Sequence, residues 1–121
     1  MISIEEVEEM LDEIAESLPE EFYYKLNGGI LLLPQAETHP KGNKKDIYVL
    51  GQYHYSSSMG RYIAIYYGSF MEVYGDLSKE KLYEELKKTL IHEFTHHIES
   101  LAGDRSLADK CEMKLRRYLG S

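Results

Sequence analysis

Apolar side chains at Ile4, Val7, Leu11, Ile14 and Leu18 recur every three or four positions through an otherwise acidic stretch, MISIEEVEEMLDEIAE. That spacing predicts an amphipathic helix over 3–17. Ser3 can cap it, Glu6 three residues later completes a capping box, and Pro19 ends the pattern. The period then shortens. NGGILLLP reads as a short buried strand entered through a glycine turn and closed by Pro34, and ETHPKGNKK as a polar loop. DIYVLGQYHY and RYIAIYYGSF read as a second and a third strand, with SSSMG between them as a somewhat long hairpin turn. Tyr62, Ala64 and Tyr66 alternate with Ile63, Ile65 and Tyr67, so the third strand carries bulk on both faces and expects cover on both. From Ser78 the helical period returns and runs to about Leu101, with Gly103 placed to stop it. A last helix covers roughly Leu107 to Leu119, its capping box formed by Ser106 with Asp109 or by Asp109 with Glu112. Helix, strands, then helices make an α+β domain, and 121 residues fit one such unit over 1–121.

Composition narrows the picture. Hydrophobic residues are 43% and charged residues 29%, the balance of a folded domain, and eleven tyrosines supply much of the packing area. A net charge of −7 without a basic cluster beyond Lys44-Lys45 and Arg116-Arg117 argues against nucleic acid as a partner. The acidic N-terminus is unlike a secretory signal, and GGILLLP is too short to span a membrane. A single cysteine, Cys111, leaves no internal disulfide framework, so the cytoplasm is the expected compartment.

Candidate chemistry concentrates in IHEFTHHIESLAG, which holds three of the five histidines. At about 100° per residue from Leu90, the side chains of Tyr83, Leu86, Phe94, Ile98 and Leu101 fall within roughly 80° and form a core face. His92 and His96 fall near about 200° and 240°, adjacent on the far side, with Glu93 near about 300°. Two imidazoles four residues apart can converge on one ion, and a carboxylate beside them can serve as general base; this is the logic of H-E-x-x-H. A solvated helix face is the plain alternative for such a pair. His97, near about 340°, points into the core and is expected as a buried, hydrogen-bonded histidine rather than a ligand. Glu99 shares the histidine face as a solvated or supporting carboxylate. His39 and His54 are expected in surface or structural roles.

LIHEFTHHIESLAG, together with NGGILLLP and LGQYHYSSSMGRYIAIYYGSF, resembles the small bacterial zincin-like metallopeptidases from about Phe22 onward. The resemblance implies a minimal zincin-like fold: a short mixed sheet beside an active-site helix, with one strand lining a cleft where an extended peptide could pair. It further implies Zn²⁺ held by His92 and His96, with Glu93 as base and a peptide or protein as substrate. Shorter members follow the second histidine with H-x-G-x-x-D, whereas Glu99 and Ala102 stand at the glycine and aspartate positions here. The third ligand is therefore expected at the start of the last helix, among Asp104, Asp109, Cys111 and Glu112. Aligning that helix puts Cys111 at the acidic position; a thiolate binds zinc well, while a small buried hydrophobe is its other role. Asp109, otherwise a helix cap, is the next candidate. Two functions follow: a zinc-dependent peptidase, or a non-catalytic metal-binding or interaction domain that keeps the fold.

Overall fold

The computed structural model describes residues 1–39, 47–101 and 114–116. Helix α1 spans Ile4–Ser17 and begins at the expected cap. Ser3 Oγ accepts from the Glu6 amide at 3.2 Å, and the Glu6 carboxylate accepts from the Ser3 amide at 3.2 Å. Such a cap contributes about 1 kcal/mol. Val7, Leu11 and Ile14 are its buried face. A single 3₁₀ turn, Glu20–Tyr23, then drives Phe22 into the core.

Strand β1 covers Gly29–Leu33, β2 Glu37–Thr38, β3 Tyr48–Val49, β4 Gly51–Ser56 and β5 Gly60–Tyr66; α2 follows at Tyr67–Tyr74 and α3 at Lys79–Ser100. The main sheet has the order β1-β5-β4. β1 runs parallel to β5, from Gly29 beside Tyr62 to Leu33 beside Tyr66, and β4 runs antiparallel to it, from Gly51 beside Ile65 to Ser56 beside Gly60. The sheet is therefore mixed, and the chain is α+β. Entry to β1 requires glycine: Gly29 has φ of +70°, and a side chain on Gly28 would meet Tyr62 Cβ at 2.7 Å.

Two expectations are corrected. The segment RYIAIYYGSF is not all strand, because extended structure stops at Tyr66 and Tyr67–Tyr74 coils as α2. Continuous bulk on both faces suits a buried strand and a buried helix equally, so periodicity cannot mark the change. The segments read as a polar loop and one long strand also differ: Glu37–Thr38 pairs antiparallel with Tyr48–Val49, and β3 is separated from β4 at Leu50. The hairpin between β4 and β5 forms as expected, with residues 57–59 at its tip. Helix α3 begins at Ser78, whose side chain accepts from the Lys81 amide, and ends at Leu101. Of the expected last helix only 114–116 is described; it is helical, Leu115 joins the core and Lys114 pairs with Glu21. Gly103, Ser106, Leu107, Asp109, Glu112 and Leu119 lie outside the described residues.

The core lies between the sheet and the pair α1 and α3. Ile63 and Ile65 of β5 meet Val7 and Ile14 of α1 and Leu82, Leu86, Leu90 and Phe94 of α3, all fully buried. Phe94 is the aromatic centre, 5.6 Å from the Phe22 ring and 5.1 Å from the Tyr23 ring, the latter edge-on at 79°. Among the described residues no helix is long and apolar enough to cross a membrane. Phe94→Ala should cost about 3–5 kcal/mol of stability, since it removes a fully buried ring and leaves a cavity between three elements. Urea unfolding followed by circular dichroism measures this; a loss under about 1 kcal/mol would show that the centre of the core is elsewhere.

Candidate metal centre

Burial of one stripe of α3 fixes where its other side chains point. With Leu86, Leu90, Phe94 and Ile98 buried, His92 and His96 are exposed on the opposite side. Their Nε2 atoms stand 3.2 Å apart and their ring planes are 87° to each other. Two bonds of about 2.0–2.1 Å to one ion, drawn from nitrogens at that separation, subtend about 100–106°, close to a tetrahedral angle. That separation is compatible with two donors on one tetrahedral ion, although as the rings stand the two nitrogens share a hydrogen bond. Glu99, 67% exposed, holds its carboxylate 3.9 Å from His96 Nδ1, too far for a hydrogen bond and too solvated to contribute much.

Glu93 differs from its neighbours. It is only 6% exposed, and burial pushes its carboxyl above the usual carboxylate range while the adjacent His92 and His96 pull the other way. A carboxylate made more basic by burial, beside two converging imidazoles, is suited to taking a proton from water. The second wall of the site is β4, the edge strand. Gly51, Gln52, Tyr53 and His54 line a groove of about 500 Å³ with His92, Glu93 and His96, and Tyr48, Val49, Leu50, Lys88 and Thr89 extend it. Gly51 permits the close approach: a Cβ there would lie 3.1 Å from both Thr89 Cγ2 and Ile65 Cδ1.

His97 secures this geometry from behind. It is fully buried, its Nε2 donates to the Tyr24 carbonyl at 2.8 Å, and its Nδ1 accepts from the Tyr53 hydroxyl at 2.9 Å. The ring therefore ties α3 to the segment before β1 and to the groove strand, and those two bonds assign the Nε2–H tautomer. Burial and, more weakly, the nearby Arg61 hold its pKa below the ordinary histidine value, against the opposing effect of the Tyr24 carbonyl.

The model of the zincin-like metallopeptidase family matches residues 41–110, a span that includes the helix with His92, Glu93 and His96. The chain belongs to the zincin-like metallopeptidase family. A conserved hypothetical protein from Thermo thermophilus has a similar structure at a TM-score of 0.69 and 34% identity, covering 84% of this chain and 98% of that one. No curated protein matches the sequence. The zincin-like family carries a metallopeptidase-type or metal-binding function, and the helix-beside-edge-strand layout is where such a function can sit in this chain.

The structure thus brings His92, Glu93 and His96 together on one helix. Among the described residues no group of three or more His, Cys, Asp or Glu side chains is placed to hold a metal ion; Cys111, Asp104, Asp109 and Glu112 lie outside the described residues. His39 is exposed after β2, its amide donating to the Ile47 carbonyl at 3.2 Å, and does not line the groove, whereas His54 does, with its ring stacked on Tyr62 at 4.8 Å. Sequence reasoning missed Gly51 and Tyr53. A glycine inside a strand pattern was the available signal for the first; Tyr53 had none, being one of eleven tyrosines. The Tyr66 hydroxyl donates to Oε1 of the groove-lining Gln52, and the Tyr67 hydroxyl donates to the Ile2 carbonyl.

His97→Leu should cost about 1–3 kcal/mol, since it removes the hydrogen bonds by which the buried ring ties the Tyr24 carbonyl and the Tyr53 hydroxyl to α3. The same burial predicts a pH dependence. Because the folded pKa lies below 6.5, the unfolded chain binds the proton first, and stability falls as pH drops from about 6.5 through the folded value. Melting temperatures of wild type and His97→Leu across pH 4.5 to 8, a range set by the ordinary histidine pKa, should show a steeper acid loss in wild type. Parallel curves would remove His97 as the titrating group.

Proposed function

We propose that this protein is a zinc-dependent peptidase in which His92 and His96 hold the metal and Glu93 is the general base. The observation that carries the reading is the 3.2 Å separation of the two Nε2 atoms beside a buried glutamate, on the wall of a groove whose other wall is a sheet edge. The third donor is proposed from the chain that follows α3, with Cys111 as first choice and Asp109 as second, because two imidazoles from one helix cover only one side of a tetrahedral ion.

Bound zinc would supply Lewis acidity, lowering the pKa of a water and polarising a carbonyl. The chain's own residues do the rest. Among the described residues β4 is an edge strand of the main sheet, and its outer backbone N–H and C=O groups can hold an extended peptide beside the histidines by strand addition. Glu93 accepts a proton from water on a carboxylate oxygen and returns it to the departing amine, a transfer favoured by its raised pKa. His97, through Tyr53, keeps the strand carrying those backbone groups at a fixed distance from the helix.

Metal analysis should find about one zinc per chain, lost in the His92→Ala/His96→Ala double variant with the fold retained, because both rings face away from the core. Glu93→Gln should keep the zinc and lower peptide hydrolysis by about a hundredfold or more. Wild-type zinc content in the double variant would move the metal elsewhere. Zinc binding with no hydrolysis by wild type on any unfolded protein or peptide would favour the non-catalytic metal-binding domain. A cobalt-substituted sample decides the third donor: an intense near-ultraviolet sulfur-to-metal band is expected for Cys111, and its absence with metal bound passes the role to Asp109.

A further inference from the structure

His92, His96 and Ser100 lie on one face of α3 at successive turns, so Ser100 stands about 6 Å beyond His96 along the helix axis. At that point Ser100 Oγ accepts from Arg61 Nε at 3.2 Å and lies 2.9 Å from the Tyr53 hydroxyl. The same guanidinium sits 4.7 Å from the ring centre of Tyr55, its cross-strand partner on β4. Arg61 is thus half-buried, held through Nε and stacked on an aromatic ring, with no carboxylate partner among the described residues. Its two terminal nitrogens form a planar fork matched to a carboxylate, presented beside a Tyr55 side chain that is 71% exposed.

We propose that Arg61, backed by Ser100 and Tyr55, is a specificity site that binds an acidic side chain of an extended peptide lying along β4. The proposal rests on the peptidase reading only for the identity of the ligand as a peptide. An extended chain advances about 3.3 Å per residue, so the acidic residue lies about two positions from the peptide unit nearest His96. An antiparallel addition to β4 places it on the N-terminal side of that unit, since β4 runs from Gly51 beside Thr89 towards Tyr53 beside Ser100. The protein's overall negative field opposes acidic peptides, so one favoured position for glutamate is the signature of a local cation and not of bulk charge.

The test uses zinc-loaded Glu93→Gln protein, full length, and fluorescein-labelled peptides of about seven apolar and small residues. One glutamate, or a glutamine in its place, is walked through the sequence, and affinity is read by fluorescence anisotropy. At one position glutamate should bind about tenfold tighter than glutamine, as expected for a charge-assisted bidentate contact, and at the others no tighter. Arg61→Gln should erase that preference while leaving the glutamine peptide's affinity within about twofold. Arg61→Lys, which keeps the charge and loses the fork, should retain only part of it. Thermal melts confirm that both variants fold. Equal binding of the two peptides at every position, no binding of either, or a preference undiminished in folded Arg61→Lys and Arg61→Gln would overturn the proposal. Because binding is read without turnover, the outcomes separate from those for catalysis. An Arg61-dependent preference in a protein whose wild type never cleaves keeps this site and sinks the peptidase. Wild-type cleavage indifferent to glutamate does the reverse.

Discussion

Burial of a single stripe along α3 is the constraint on which the rest depends. Leu82, Leu86, Leu90, Phe94 and Ile98 bury fully or nearly so against α1, β5 and Phe22, and each buried aliphatic or aromatic side chain contributes about 1.5–3 kcal/mol. That energy fixes the helix's rotation about its axis. Turning α3 by one residue would withdraw much of the stripe and bury an imidazole in its place. The direction of His92 and His96 is therefore set by side chains that touch neither of them. The rotation set by packing and the aim of the histidine pair are one and the same placement.

The second wall needs a different kind of restraint, because a groove open to water has little apolar area to close it. Gly51 lets β4 approach Thr89, while the Tyr53 hydroxyl, bonded to His97 Nδ1, keeps the strand in register with the helix. His97 in turn reaches the Tyr24 carbonyl, beside Lys25 at a φ of 60°, a left-handed turn that costs about 1–2 kcal/mol in a non-glycine residue. One neutral ring thus joins three segments distant in sequence. A neutral, doubly hydrogen-bonded histidine can sit fully buried where a charged one would demand a counter-ion, and burial accordingly holds its pKa below the ordinary histidine value.

How much of this was legible in the sequence follows from how local each cause is. Helix α1 was readable to the cap, because Ser3, Glu6 and the apolar spacing act within a few residues of one another. The orientation of His92, Glu93, His96 and His97 was readable too, since a 22-residue helix makes angular position a matter of counting. Tyr67–Tyr74 was misread because YIAIYYGSF is apolar on every side, and only tertiary cover decides between extended and coiled chain there. The pairing of Glu37–Thr38 with Tyr48–Val49 escaped because neither dipeptide alternates long enough to show a period. The partners of His97 and Arg61, 73 and 39 residues away in sequence, depend on how β4 and β5 register against α3, a fact no local pattern encodes.

Among the described residues Arg61 has no carboxylate partner, and its position supplies another source of stability. Arg61 meets α3 at Ser100, the last residue of the helix, where the final carbonyls lack intrahelical partners and the helix end carries partial negative charge. A cation there is favoured by about 0.3–1 kcal/mol, and the Tyr55 ring adds a cation–π contact of about 0.5–1 kcal/mol. Both effects are weaker than a bidentate carboxylate. The helix end holds the guanidinium through Nε, and among the described residues no carboxylate pairs with its terminal nitrogens. The helix that aims two imidazoles at one point of the groove so stations a cation, through its own C-terminal turn, about 6 Å further along the same face.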